Sequence, residues 1–87
     1  MEIKPIQTDE THKTGSLPSS YSVKDINKAL GFSPNVKDDE YKVKYSWGFT
    51  VDGVECAIWD YRGARWSVWD PSKVLSKVFK DAREDVW

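Results

Sequence analysis

Few side chains in this chain have types suited to chemistry at a reacting centre. His12 is the only histidine and Cys56 the only cysteine. A nucleophile needs an adjacent base, and an acid–base group needs a rigid mount. His12 falls in a polar leader and reads as solvated. Cys56 falls in an apolar run with no histidine placed beside it, and reads as a small buried hydrophobe. One Cys and one His fall short of a zinc set. Asp38, Asp39 and Glu40 form an acidic run without calcium-loop spacing, so they read as a solvated loop. Asp60 alternates into an apolar strand, where a carboxylate must find a donor; the Tyr45 hydroxyl or an arginine at the sheet edge is the expected partner. Gly48, Gly53 and Gly63 serve packing or turns rather than a phosphate loop. No catalytic residue, metal ligand or cofactor motif emerges, and the chain is read as non-enzymatic.

The remaining candidates are aromatic and basic. Four of the five tryptophans fall between residues 41 and 69. Tyr41, Val43, Tyr45, Trp47, Phe49 and Val51 alternate with Lys42, Lys44, Ser46, Gly48 and Thr50. Strict alternation sends the two sets to opposite faces of a strand. Asp52-Gly53 is a strong two-residue hairpin signal, and a second apolar run, Val54 to Tyr61, comes after it. That turn pairs Val51 with Val54, Phe49 with Cys56, Trp47 with Ile58 and Tyr45 with Asp60. On the other face it pairs Thr50 with Glu55, Gly48 with Ala57, Ser46 with Trp59 and Lys44 with Tyr61. Arg62-Gly63-Ala64 reads as a second turn, and Arg65–Trp69 as a third strand.

Two helices flank these strands. Ser22 and Asp25 have capping-box spacing, Tyr21 and Ile26 can staple the entry, and Val23, Ile26, Ala29 and Leu30 share a face. Gly31 is the expected left-handed stop, with Phe32 folding back on the helix. Asp70-Pro71 reads as a second helix start, and Val74, Leu75, Val78, Phe79 and Ala82 as its apolar stripe. Residues 1–20 hold only Ile3, Ile6 and Leu17 as sizeable apolar side chains, and read as a flexible polar tail. The expected fold class is α+β: a two-layer domain over residues 21–87, ordered helix, three-stranded antiparallel meander, helix, behind the flexible tail.

A two-layer domain leaves one sheet face in water, and that face is normally polar. Here it carries Trp59 and Tyr61 beside Gly48, Ala57 and Ser46. With a two-residue second turn, Trp66 and Val68 join them. With a three-residue turn, parity flips: Trp66 enters the core and Trp69 comes out. Lys42, Lys44, Arg62 and Arg65 lie along the same strands or the turn, as a cationic rim. Three readings compete. The plain one is that a helix or the tail covers this face, or that aromatic pairs merely stabilise a small sheet. The second is a protein-binding face, with Trp59, Tyr61 and Trp66 as anchors and Arg62 and Arg65 as rim contacts. The third is a nucleotide ligand stacked on Trp59 or Tyr61, with Lys and Arg on its phosphate, possible also at a boundary between protomers.

Size and charge bound these readings. Eighty-seven residues make a single domain. A lone cysteine makes no internal disulfide, which favours a reducing compartment such as a cytoplasm. No apolar run approaches the ~18 residues of a membrane candidate, and no signal-peptide pattern opens the chain. Thirteen basic and fourteen acidic residues leave a formal charge of −1, which argues against a general coat for extended nucleic acid.

Three stretches carry a resemblance: Leu30-Gly31-Phe32-Ser33-Pro34-Asn35, then Lys42-Val43-Lys44-Tyr45-Ser46-Trp47-Gly48-Phe49, then Asp52-Gly53 with Ile58-Trp59-Asp60-Tyr61. Over about residues 22–69 the chain resembles small accessory proteins of tailed phages and mobile elements. The resemblance implies a phage-type protein in a host cytoplasm that binds and inhibits or modulates a host protein, for example a defence component. It transfers no catalytic residues. Self-association into a homo-oligomer is the further partner expectation, and a sequestered nucleotide is the alternative.

Overall fold

The computed structural model describes residues 2–8, 13–18, 20–36, 43–61, 66–80 and 83–84. The hairpin at its centre is dictated by the alternation. Strands β3 (Val43–Val51) and β4 (Val54–Tyr61) pair antiparallel across Asp52-Gly53, with φ of 51° and 84° at the two turn residues. Two positive φ values are what a tight hairpin turn of matching twist requires. The register from Val51↔Val54 to Ser46↔Trp59 is the expected one. It shifts between Ser46 and Val43, so Val43, not Lys44, stands opposite Tyr61. This irregularity changes the expected Tyr45–Asp60 contact. Asp60 accepts the backbone N–H of Tyr45 at 2.8 Å, and the Tyr45 ring lies 39% exposed, stacked on Trp47. An extra residue in a strand leaves a backbone donor without a ladder partner, and the nearby carboxylate takes it.

The expected three-stranded meander proves to be the middle of a wider sheet. Strand β5 (Trp66–Trp69) pairs with β4, and two strands from the supposed tail pair outside them: β1 (Ile3–Pro5) on β3 and β2 (Gly15–Leu17) on β5. A two-residue β6 (Arg83–Glu84) lies against β2, and the order is β1-β3-β4-β5-β2-β6. The tail is recruited because a bare three-stranded sheet leaves two rows of backbone donors and acceptors unpaired. Short polar strands can fill them, since the bonds come from the main chain. Beside the turn, Asp52 N–H donates to Glu2 O at 2.8 Å, and Glu2 N–H donates to the Asp52 carboxylate at 2.7 Å.

The helix α1 (Val23–Leu30) forms as its sequence dictates. Ser22 and Asp25 complete a reciprocal capping box, and Gly31 closes the helix at φ 92°. The Ser22 backbone N–H, then its hydroxyl, hold Asp25 below the usual carboxylate pKa. The sign is that of a depressed acid: its stabilisation is present above the unfolded-state pKa and is lost as pH falls through the lower folded value. Ser22→Ala should cost about 1 kcal/mol in chemical denaturation at neutral pH. Alanine keeps the residue-22 backbone N–H that the Asp25 carboxylate accepts, so this difference should persist largely unchanged into acid, whereas the stabilisation lost on acidification should be missing in Asp25→Ala.

The expected second helix is absent from the described residues. Lys73 takes φ 55°, which breaks the helical path after Asp70-Pro71-Ser72, and only a 3-10 turn, Leu75–Lys77, comes next. The apolar stripe still docks: Leu75 and Phe79 are buried, with Val74 and Val78 packed beside them. Asp70 still caps, but its carboxylate takes the N–H groups of Val74 and Leu75. Those residues, with Ile26 and Leu30 of α1, join Trp47, Phe49, Val51, Cys56, Ile58, Val68 and Leu17 of the sheet in one core. Cys56 is buried as expected. The result is a small α+β domain of two layers on one sheet face. No helix among the described residues is long and apolar enough to cross a membrane.

Candidate functional site

The four described tryptophans divide into two pairs, and hydrogen bonding separates them. Trp47 is fully buried, and its indole N–H donates to Asn27 Oδ1 at 3.0 Å. Trp66 is 8% exposed; its N–H donates to Tyr21 O at 2.7 Å and its ring meets Trp47 edge-on at 5.4 Å. A buried indole needs such an acceptor. Trp59 and Trp69 lie on the opposite sheet face, half-buried, and neither indole N–H makes a hydrogen bond among the described residues. Their ring edges are left to solvent or to a partner.

Of the two placements left open for Trp66, the structure has the core one, so Trp66 does not serve as an anchor on the outer face. Asp60↔Trp66 sets this parity, the one that a three-residue turn produces, and it brings Trp69 out in its place. The reason is packing: Trp66 fills the space between Trp47 and the chain entering α1, where Tyr21 offers its carbonyl.

The second face can be read rung by rung. Ser46, Trp59, Ser67 and Ser16 stand opposite one another across β3, β4, β5 and β2. On the next rung Gly48, Ala57 and Trp69 face one another. Each indole thus has small residues as its cross-strand neighbours, and the two indoles are diagonal neighbours on adjacent strands. Diagonal positions lie roughly 7–8 Å apart. Ser46 and Ser67 are 6% and 7% exposed. Neither hydroxyl has a hydrogen-bond partner among the described residues, yet no fully buried side-chain N or O lacks one, so both oxygens touch solvent.

One side of this face is closed by the N-terminal segment. A Cβ on Gly48 would lie 2.5 Å from Ile6 O, 2.8 Å from Val36 Cγ2 and 3.1 Å from Thr8 Cγ2. Asn35 fastens the segment. Its amide donates to Ile6 O at 2.9 Å and Gly48 O at 3.0 Å, and its Oδ1 accepts Gly48 N–H at 3.0 Å. Part of the second face is thus covered by the supposed tail, and the Trp59–Trp69 part retains exposure.

Of the residues expected at the site, Trp59 stands on this face. Tyr61 and Lys44 lie in β4 and β3, with Tyr61 opposite Val43. Lys42, Arg62, Arg65, His12 and the Asp38–Glu40 run lie outside the described residues. No group of three or more His, Cys, Asp or Glu able to hold a metal occurs among the described residues. The site gains Trp69, Ser46 and Ser67. No family model, curated protein or solved structure matches this chain. The Trp59–Trp69 face offers flat apolar surface, indole N–H donors and neutral hydroxyls.

Proposed function

We propose that this protein is a non-enzymatic binding protein that acts by occupying a host protein with its Trp59–Trp69 face. The observation that carries the reading is the contrast between tryptophan pairs. Trp47 and Trp66 satisfy their N–H groups inside the fold, whereas Trp59 and Trp69 present ring edges without a partner among the described residues. Tryptophan is the side chain most enriched at binding hot spots, since it combines a large apolar area with one donor and little conformational entropy. The likeness to phage accessory proteins supplies the expectation of a host target, one whose activity is blunted when it is bound.

Capture from host lysate on immobilised protein tests this. A host protein retained by the wild type should lose about thirtyfold in affinity with Trp59→Ala, the scale of a hot-spot residue. Far-ultraviolet circular dichroism should show the fold intact, since Trp59 lies outside the core. Equal retention by both proteins would remove this face from the interaction.

A further inference from the structure

We infer that the Ser46–Trp59–Ser67 rung forms a subsite for a single nucleobase, presented by a mononucleotide or by a larger molecule that carries one. The inference rests on reading the Trp59–Trp69 face as the contact surface, and adds a ligand chemistry for one part of it. Three observations converge. Trp59 stands between two small side chains, Ser46 on β3 and Ser67 on β5, so neither cross-strand neighbour sets a bulky group against its indole. Both serines are more than nine-tenths buried, and neither hydroxyl is used by the protein among the described residues. Trp69, one rung on and one strand over, supplies a second apolar surface at the diagonal.

The occupant that matches is a ring with an apolar face and a polar edge. A hydroxyl donates and accepts, so the two serines can serve the mixed donor and acceptor edge of a base. An aliphatic side chain would leave the hydroxyls dry and unpaired, which is costly. A phosphate finds no described cation on these two rungs, so the base rather than the charge is what they recognise. Stacking on an indole is tolerant of base identity, and the serines add the edge contact. The β1 segment ends this surface at Gly48, which limits the site to one ring on that side.

Tryptophan fluorescence titration with AMP, GMP, CMP and UMP, and with ribose 5-phosphate as the baseless control, tests the subsite. At least one mononucleotide should quench saturably in the micromolar to low millimolar range, while ribose 5-phosphate does not. Trp59→Leu should weaken binding about tenfold or more, the stacking scale. Ser67→Ala, which leaves the indole and the fold in place, should weaken it about fivefold, as expected for one lost hydrogen bond. The loss should leave the salt dependence unchanged. Absence of binding by all four nucleotides would overturn the inference, as would equal binding of ribose 5-phosphate or an unchanged affinity in Ser67→Ala. Capture of a host protein that depends on Trp59 and is indifferent to Ser67 would then leave the proposed function standing without the subsite.

Discussion

Asp70→Ala should cost about 3 kcal/mol of stability or more, the largest effect expected from a single polar side chain here. Asp70 is 1% exposed. Its Oδ1 accepts Val74 N–H at 3.0 Å and its Oδ2 accepts Leu75 N–H at 2.9 Å, while Cys56 Sγ lies 3.7 Å from Oδ1. Its own N–H donates to Thr14 Oγ1 at 2.7 Å. One residue thus ties together β4, the end of β5, the segment before β2 and the start of the 3-10 turn. Removing its carboxylate strands two backbone donors, each costing about 1–3 kcal/mol when left unsatisfied in the interior. It also leaves the turn that carries Leu75 and Phe79 without its N-terminal anchor. A domain of this length has a total stability of roughly 4–13 kcal/mol, so the loss is a large share of the whole. At about 4–8 °C per kcal/mol, the melting temperature should fall by about 12 °C or more. Asp70→Asn keeps one acceptor and turns the other into a donor facing an N–H, so its loss should be intermediate. Thermal melts of the three proteins would decide this; an alanine variant within about 1 kcal/mol of wild type would mean that water replaces the carboxylate.

The same residue separates the features that are legible in the sequence from those that are hidden. Asp70-Pro71 reads as a helix start, but no helix starts there: the Asp70 carboxylate takes two backbone N–H groups further along, while Pro71 and Ser72 form a turn. The path of the chain beyond it is decided by Lys73, whose φ of 55° has no signature in its side chain. Leu75 and Phe79 satisfy their burial equally well from a 3-10 turn, so their periodicity does not separate the two outcomes. By contrast, the central hairpin is readable because alternation and the Asp52-Gly53 turn are local and reinforce each other. Legibility fails where a decision depends on distant backbone. Strands β1 and β2 are three residues each and held by main-chain pairing, so their composition looks like that of a tail. The side of Trp66 and Trp69 turns on the parity of a connection, and Ser67 enters the candidate site only once that parity is known. Asn35 carries no signal at all. An asparagine after proline reads as a turn residue, yet it supplies three hydrogen bonds between two segments that are 29 and 13 residues away from it.

That junction is the second place where one atom group should have a large effect. Gly48→Val should release the N-terminal segment from the edge of β3 at a cost of about 2–3 kcal/mol, within the range for overpacking. The nearest obstacle to the new side chain is a backbone oxygen, Ile6 O, and the next is a methyl of Val36. A backbone atom at 2.5 Å has no rotamer to escape into, so the segment has to move. Movement breaks the Ile6 N–H to Gly48 O bond and the Asn35 amide contacts together, and it leaves β1 hanging on its ladder to Val51, Thr50 and Phe49. Hydrogen exchange should therefore quicken at Ile3 and Ile6 far more than at Trp47 or Ile58. Asn35→Ala removes the same fastening from the other side, so the two changes should not add. The double variant should cost little more than either single one, with a coupling of about 1 kcal/mol or more. Additive losses would show that Gly48 and Asn35 act on separate parts of the edge. The distinction bears on function because Gly48 lies on the sheet face that carries Trp59 and Trp69. A released segment would widen the apolar surface beside those indoles, so affinity for a partner measured in Gly48→Val reports whether the segment bounds the contact face or forms part of it.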